Sequence, residues 1–279
     1  MANSVFPPKE NMLEKIFEKR KPIIGVIHSK PLPGAPKYKG EPMDSVYEFA
    51  INEAKRFEEG GVDGIIVENG WDIPFAKPED IGFETVTSMS VMSELVARET
   101  SLPIGVNCLA NAAFASLTIG KASRSDFIRV NQWCNAYVAN EGIIEGRAAQ
   151  VLRDRARLHA DDIAVFADVH VKHGSHSICA DRSIGEMTRD AEWFDADVLI
   201  ATGNRTGDPT QVSEVQNIKE SANLPVIIGS GLNIDNCASL MEVADGAIVA
   251  TSLKKDGVWW NEVDVERVKK LMDIVNSLR

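Results

Sequence analysis

Six apolar runs in this chain end in a polar side chain of a type that enzymes use to move protons or to orient hydroxyl groups. The six residues are His28, Glu68, Asn107, Asn131, Asp168 and Thr202. Side chains alternate along a β-strand, and all six fall on the phase expected to point inwards. Because unpaired polar groups are costly in an apolar interior, the pattern predicts one polar pocket. Six separate turn-capping residues are the alternative.

Arg129 falls on the same phase as Asn131, one layer deeper in its strand. A buried charge is tolerated only when it is paired. We therefore expect Arg129 to contact Glu68 or Asp168. The pair would either hold the core together or tune a catalytic carboxylate.

The segment "DVHVKHGSH" is the densest group of titratable residues. In this segment His170 is a candidate acid or electrophile. Lys172 is a candidate acid, phosphate contact or amine nucleophile, with a solvated loop lysine as the alternative. His170, His173 and His176 could hold a metal, but this spacing in a Gly/Ser loop is weakly specific. We expect neither a metal nor another cofactor.

Three further segments contain residues suited to binding an anion. "TGNRTGDPT" offers Arg205 on a glycine-flanked segment, either a substrate-covering loop or a plain turn. "IIGSGLN" and "IVATSLKKDG" offer small residues and hydroxyl donors, followed by Lys254 and Lys255. The predicted phosphate contacts are Gly229, Ser230, Gly231, Thr251 and Ser252. Barrel enzymes often bind phosphate with the loops after their last two strands.

The elements that would position these residues are eight short apolar runs separated by helical patterns. The runs cover residues 23–28, 64–69, 103–108, 127–132, 164–169, 198–203, 225–230 and 246–251. Eight strand–helix units predict a (β/α)8 TIM barrel, with a doubly wound open sheet as the alternative. Residues 1–20 are expected to form a helical extension whose Met12, Leu13, Ile16 and Phe17 close one barrel end, with contact to a membrane as the alternative. We expect one domain over 1–279.

Composition excludes several classes of protein. A net charge of −11 and a hydrophobic content of 44% favour a globular protein that does not bind nucleic acid. No apolar run approaches the roughly 20 residues of a membrane span, so we expect no integral membrane association. The absence of a signal-peptide pattern predicts a cytoplasmic location, and the four cysteines show no disulfide spacing. A homo-oligomer is compatible with the sequence.

Several motifs together resemble the BtpA family, which includes SgcQ-like and membrane-complex-biogenesis proteins. They are "GVIHSKPLPGAP", "GVDGIIVENGWDIPF", "PIGVNCLANAA", "FIRVN", "DVHVKH", "TGNRTGDP" and "ADGAIVATSLKKDG". The resemblance implies a phosphate-binding TIM barrel of the ribulose-phosphate-binding type. It also implies a link to photosystem I in cyanobacterial relatives and to carbohydrate metabolism in bacterial ones. Ala110, Asn111 and Ala112 stand where an Arg-Asn-Asp run is expected, and the family supplies no established reaction.

The residues favour an enzyme that acts on a phosphorylated sugar or a related phosphate ester by isomerisation, epimerisation or aldol-type cleavage. Glu68 or Asp168 would be the base, His170 or His28 the acid or electrophile. Asn107 and Asn131 would orient hydroxyl groups. Alternatives are a non-catalytic assembly or stability factor for a membrane complex such as photosystem I, and a metal-dependent hydrolase.

Overall fold

A computed structural model describes residues 8–203 and 210–279. Eight parallel strands close into a barrel in the order β1-β10-β9-β8-β7-β4-β3-β2, and two further strands pair as an antiparallel hairpin. The strands are β1 (Ile23–His28), β2 (Gly64–Glu68), β3 (Ile104–Asn107), β4 (Phe127–Val130), β5 (Ala136–Ala139), β6 (Gly142–Glu145), β7 (Ala164–Asp168), β8 (Val198–Ala201), β9 (Val226–Ile228) and β10 (Gly246–Val249). The closed barrel confirms the predicted TIM fold and excludes the open sheet.

The first helix precedes the first strand, and the other helices lie between or after the strands and form the outer layer. They are α1 (Met12–Phe17), α2 (Met43–Gly60), α3 (Phe83–Glu99), α4 (Ala113–Ser123), α5 (Ala148–Arg157), α6 (Ile184–Trp193), α7 (Val212–Ser221), α8 (Cys237–Val243) and α9 (Val265–Ser277). Sequence signals fix some of their ends. Ser183 and Glu186 form a reciprocal capping box at the start of α6, and Gly61, with φ 89°, ends α2.

The strand residues that point into the barrel are those predicted from the alternation of side chains. Ile24 and Val26 of β1 and Ile66 of β2 join the buried apolar cluster that fills the lumen. Phe127 and Phe166 stack across β4 and β7 with ring centroids 4.3 Å apart. Since these residues point inwards, the polar residues two positions later point into the upper lumen.

Helix α1 closes the N-terminal end of the barrel, as the sequence predicted. Leu13 and Phe17 are buried in the lumen cluster, whereas Met12 and Ile16 pack on it only partly. The Phe17 ring meets that of Phe127 edge-on at 5.8 Å. Helix α1 therefore covers the apolar lumen at this end.

The hairpin β5–β6 between β4 and α5 was not predicted from the sequence. Its two strands pair antiparallel, from Ala136 opposite Glu145 to Ala139 opposite Gly142 next to the turn. Val138 and Ser175 also form a bridge, which ties the hairpin to the segment after β7. The hairpin thus forms a wall beside the barrel mouth. Within the described ranges, no helix is both long enough and apolar enough to cross a membrane.

Candidate functional site

A cavity of about 750 Å³ lies at the C-terminal ends of the barrel strands. This size is in the upper half of the range typical of small-molecule sites, about 300–1,000 Å³. Predicted site residues that line it are His28, Glu68, Arg129, Asn131, Lys172, Gly229, Ser230, Gly231, Thr251 and Ser252. Residues from widely separated parts of the sequence therefore meet in one place.

Arg129 and Asp168 form a buried ion pair at the floor of the cavity. Arg129 Nε and Nη2 donate to the two carboxylate oxygens of Asp168, each at 3.0 Å. The side chains are 5% and 0% exposed, and Asn131 Nδ2 is 3.4 Å from Asp168 Oδ2. The expected pairing of Arg129 is present, with Asp168 as its partner. Both Asp168 oxygens accept hydrogen bonds from Arg129.

Glu68 is the carboxylate that reaches the cavity surface. Asn107 Nδ2 donates to Glu68 Oε2 at 2.7 Å, and His28 Nε2 lies 3.6 Å from Glu68 Oε1. Asn107 itself is buried beneath Glu68. Burial lowers the pKa of His28, against the opposing effect of Glu68. A neutral imidazole beside a carboxylate is suited to polarising a carbonyl oxygen while the carboxylate moves a proton.

Lys172 projects into the same cavity from the segment that follows β7. Burial, reinforced by the Arg129 guanidinium, lowers the pKa of Lys172 to about 8, although Asp168 and Glu68 oppose the shift. Such an amine exchanges protons close to neutral pH. Lys172 is half-buried and lines the cavity, a position suited to an acid or a nucleophile.

His170 does not share this cavity, contrary to the prediction. Its ring stacks on His176 with centroids 3.8 Å apart and lines a second cavity beside Cys179 and Glu214. Burial lowers the pKa of His170 to about 4. Strand β7 ends at Asp168, so strict alternation no longer applies two residues later.

The remaining predicted residues of this region have other surroundings. Thr202 is fully buried, and its hydroxyl donates to the His170 carbonyl at 2.8 Å, so it holds the backbone after β7. Arg205 lies outside the described residues. Among the described residues, no group of three or more His, Cys, Asp or Glu side chains is arranged to hold a metal ion.

The two segments predicted to hold phosphate face the cavity together. A 3-10 helix of one turn, Thr251–Leu253, follows β10. The Ser252 hydroxyl donates to the Leu232 carbonyl at 2.7 Å and ties the two segments together. No described group accepts a hydrogen bond from the amides of Gly231, Thr251 and Ser252. These N–H groups are available to an anion.

In the segment after β9, a side chain is disfavoured at Gly229 and at Gly231 for different structural reasons. Gly231 has φ 77°, a conformation in which a side chain is strained. At Gly229 a Cβ would lie 2.4 Å from Ile200 Cγ2 and 3.2 Å from Arg129 Nη2. Gly229 therefore leaves room for the Arg129 guanidinium, which reaches across the lumen from β4.

Lys254 and Lys255 pair with carboxylates and do not line the cavity. Lys254 is 1% exposed and pairs with the fully buried Glu53 of α2. Glu53 also accepts from the Val263 amide at 2.9 Å, and Lys255 pairs with Glu262 at 3.0 Å. The buried pair instead anchors the segment after β10 to the outer layer.

Sequence analysis missed an apolar part of the cavity. Its residues are Ile73, Pro74, Phe75, Leu109, Ala110, Tyr137, Ala139 and Trp259. They come from loops and from the hairpin, where no period-two pattern points to them. The motif "GWDIPF" is the one signal, since it places apolar residues directly after a strand.

Comparison with known proteins shows to which family the chain belongs. The sequence model of the BtpA family matches residues 19–277. An uncharacterized protein of Methanocaldococcus jannaschii is 41% identical over 261 residues, covering 94% of this chain and 97% of that protein. The photosystem I biogenesis protein BtpA of Synechocystis is 36% identical over 262 residues, covering 94% of this chain and 90% of the relative.

Solved structures share the fold. The (S)-3-O-geranylgeranylglyceryl phosphate synthase of Thermoplasma acidophilum, in complex with its substrate sn-glycerol-1-phosphate, has a TM-score of 0.58 at 16% identity. The match covers 95% of this chain and 97% of the synthase. At this identity the likeness establishes the barrel architecture alone.

Proposed function

The chain belongs to the BtpA family, and we propose that it is an enzyme that binds a phosphorylated sugar or a related phosphate ester and moves a proton on it. One observation carries the proposal. Gly231, Thr251 and Ser252, whose amides have no acceptor among the described residues, line the same cavity as Glu68 and Lys172. A phosphate at these amides would gain charge-assisted hydrogen bonds, and its ester chain would extend towards the polar floor.

The proposed chemistry uses three of the titratable groups that line the cavity, Glu68, His28 and Lys172. Glu68 takes a proton from a carbon next to a carbonyl group. Neutral His28 donates a hydrogen bond to the carbonyl oxygen, where negative charge develops. Lys172 returns a proton. In an aldol-type cleavage its neutral amine instead condenses with the carbonyl and water is released. The resulting iminium takes up the electron pair of the breaking carbon–carbon bond while Glu68 accepts the proton of the substrate hydroxyl. Arg129 and Asp168 fix the floor on which Asn131 orients a substrate hydroxyl.

Thermal stability in the presence of phosphate esters tests the binding part. A ligand that binds only the folded state raises its stability, by about 2.7 kcal/mol at a hundredfold excess over Kd. We expect sn-glycerol-1-phosphate, and not glycerol, to raise the Tm. Thr251→Asp should abolish the rise because its carboxylate repels the phosphate, whereas the neutral matched variant Thr251→Asn should retain most of it. Equal shifts with glycerol and its phosphate would refute the proposed phosphate site.

Solvent deuterium exchange tests the chemical part. A panel of ketose and aldose phosphates is incubated with the protein in D2O, and loss of the proton next to the carbonyl is followed by NMR. We expect exchange with the unaltered protein and none with Glu68→Gln, while Glu68→Gln still shows the Tm rise. Equal exchange rates in both proteins would remove Glu68 as the base.

A second candidate function rests on the relative from Synechocystis, whose name assigns it to photosystem I biogenesis. In this alternative the barrel acts as an assembly or stability factor without catalysis. A Synechocystis strain that lacks its BtpA protein separates the two. If this chain and its Glu68→Gln variant both restore photosystem I, the non-catalytic function is favoured; restoration by the unaltered chain alone favours catalysis.

A further inference from the structure

The cavity has two chemically different sides. The anion-binding segments follow β9 and β10, which lie opposite β3 and β4 in the closed barrel. The loop after β3 and the hairpin after β4 present Leu109, Ala110, Tyr137 and Ala139 to the cavity. The loop after β2 extends this surface with Ile73, Pro74 and Phe75. We call these seven residues the apolar wall.

Two asparagines next to the wall, Asn69 and Asn111, hydrogen-bond their side-chain amide groups to the protein backbone. Asn111 donates to the carbonyls of Gln132 and Glu145 and accepts from the Gln132 amide at 2.8 Å. Asn69 accepts from the Leu109 amide at 2.7 Å and donates to the Leu109 carbonyl at 3.1 Å. These bonds fix the wall in place and leave its apolar atoms facing the cavity. At the hairpin turn, Asn140 and Glu141 form its polar outer edge.

The wall is also preformed by packing. Tyr137 is 5% exposed and packs with Ile144 and Val171 in a small cluster of its own. Its ring stacks on His176 at 5.2 Å. A preformed apolar surface stabilises a ligand without an ordering cost. A three-carbon phosphate held by the segments after β9 and β10 would leave this surface wet in a cavity of about 750 Å³.

From this arrangement we infer that the substrate is a phosphate ester with an apolar or aromatic group at the end far from the phosphate. This inference rests on the proposed phosphate site. The phosphate lies at Gly231 and Ser252, the reacting carbons lie over Glu68 and Lys172, and the apolar group covers the wall. A small, fully hydroxylated sugar phosphate would satisfy only the first two of these regions.

A series of straight-chain alkyl phosphates tests the inference on the unaltered protein. Methyl, propyl and pentyl phosphate are titrated by calorimetry, with inorganic phosphate as competitor. Burial of one methylene contributes about 0.8 kcal/mol, which is about a fourfold gain in affinity. We expect affinity to rise by about this factor per methylene once the chain reaches the wall.

A pair of phenylalanine variants localises the effect. Phe75 is half-buried, lies outside the core clusters and lines the cavity. Phe75→Ser should remove most of the dependence on chain length while methyl phosphate still binds. Phe83, which is 88% exposed and does not line the cavity, serves as the control. Phe83→Ser should leave the dependence unchanged.

The outcomes separate the inference from the function on which it rests. If methyl phosphate binds but affinity is the same for all three chain lengths, the apolar end is refuted and the phosphate site stands. A dependence on chain length that survives unchanged in Phe75→Ser also overturns the wall, whatever Phe83→Ser shows. If no phosphate compound binds, both the phosphate site and this inference fail.

Discussion

Removal of the Arg129 guanidinium should destabilise the protein strongly. Arg129→Met leaves the Asp168 carboxylate, which is 0% exposed, with one weak hydrogen bond from Asn131 at 3.4 Å. Breaking a buried ion pair by removing one partner costs about 3–5 kcal/mol, because the remaining charge stays desolvated. That is a large part of a total stability of about 5–15 kcal/mol.

The assay is urea unfolding followed by circular dichroism. Arg153→Met is the matched control, because Arg153 is exposed and has no acidic partner among the described residues. We expect this control to change the free energy of unfolding by less than about 0.5 kcal/mol. The double variant Arg129→Met with Asp168→Leu removes both charges and should recover much of the loss.

The reasoning would be refuted by a small effect. If Arg129→Met costs less than about 1 kcal/mol, Asp168 is not the desolvated partner described here. A double variant that is as unstable as the sum of its two single variants would equally contradict a coupled pair.

Two further predictions concern the cavity and its floor. Because burial lowers the pKa of Lys172 to about 8, its labelling by an amine reagent, followed by mass spectrometry, should rise through about pH 8. An ordinary lysine, with a pKa near 10.4, should label with a midpoint above pH 10, and the same midpoint at Lys172 would contradict the prediction. Gly229→Ala should lower the free energy of unfolding by about 1–3 kcal/mol, since its Cβ would overlap Ile200. Gly120 of α4 is the control: an added Cβ there would have its nearest neighbour, Ile163 Cδ1, at 3.5 Å. Gly120→Ala should therefore raise the free energy of unfolding by up to about 1 kcal/mol. Equal effects at both glycines would contradict the packing argument.

The barrel and its inward phase could be predicted because strand alternation is a local rule. Glu68 and Asn131 point into the upper lumen because Ile66 and Arg129, two residues earlier in the same segments, do. The rule fails where a strand ends. His170 follows the end of β7 by two residues and faces a second cavity instead.

Other features could not be predicted because they depend on contacts between distant segments. The sequence places Lys254 directly after a candidate anion-binding segment, yet its amine pairs with Glu53 of a distant helix. Likewise, the hydroxyl of Ser252 donates to Leu232, so its amide and not its side chain is free for phosphate. The hairpin carrying Tyr137 has two four-residue strands, too short for a clear periodic signal.

A crystal structure of the unaltered protein with sn-glycerol-1-phosphate tests the central claim most directly. We predict phosphate oxygens within hydrogen-bond distance, about 2.7–3.2 Å, of the amides of Gly231 and Ser252, with the glycerol carbons directed towards Glu68. A phosphate bound away from these amides, or glycerol carbons directed out of the barrel, would contradict the proposed site.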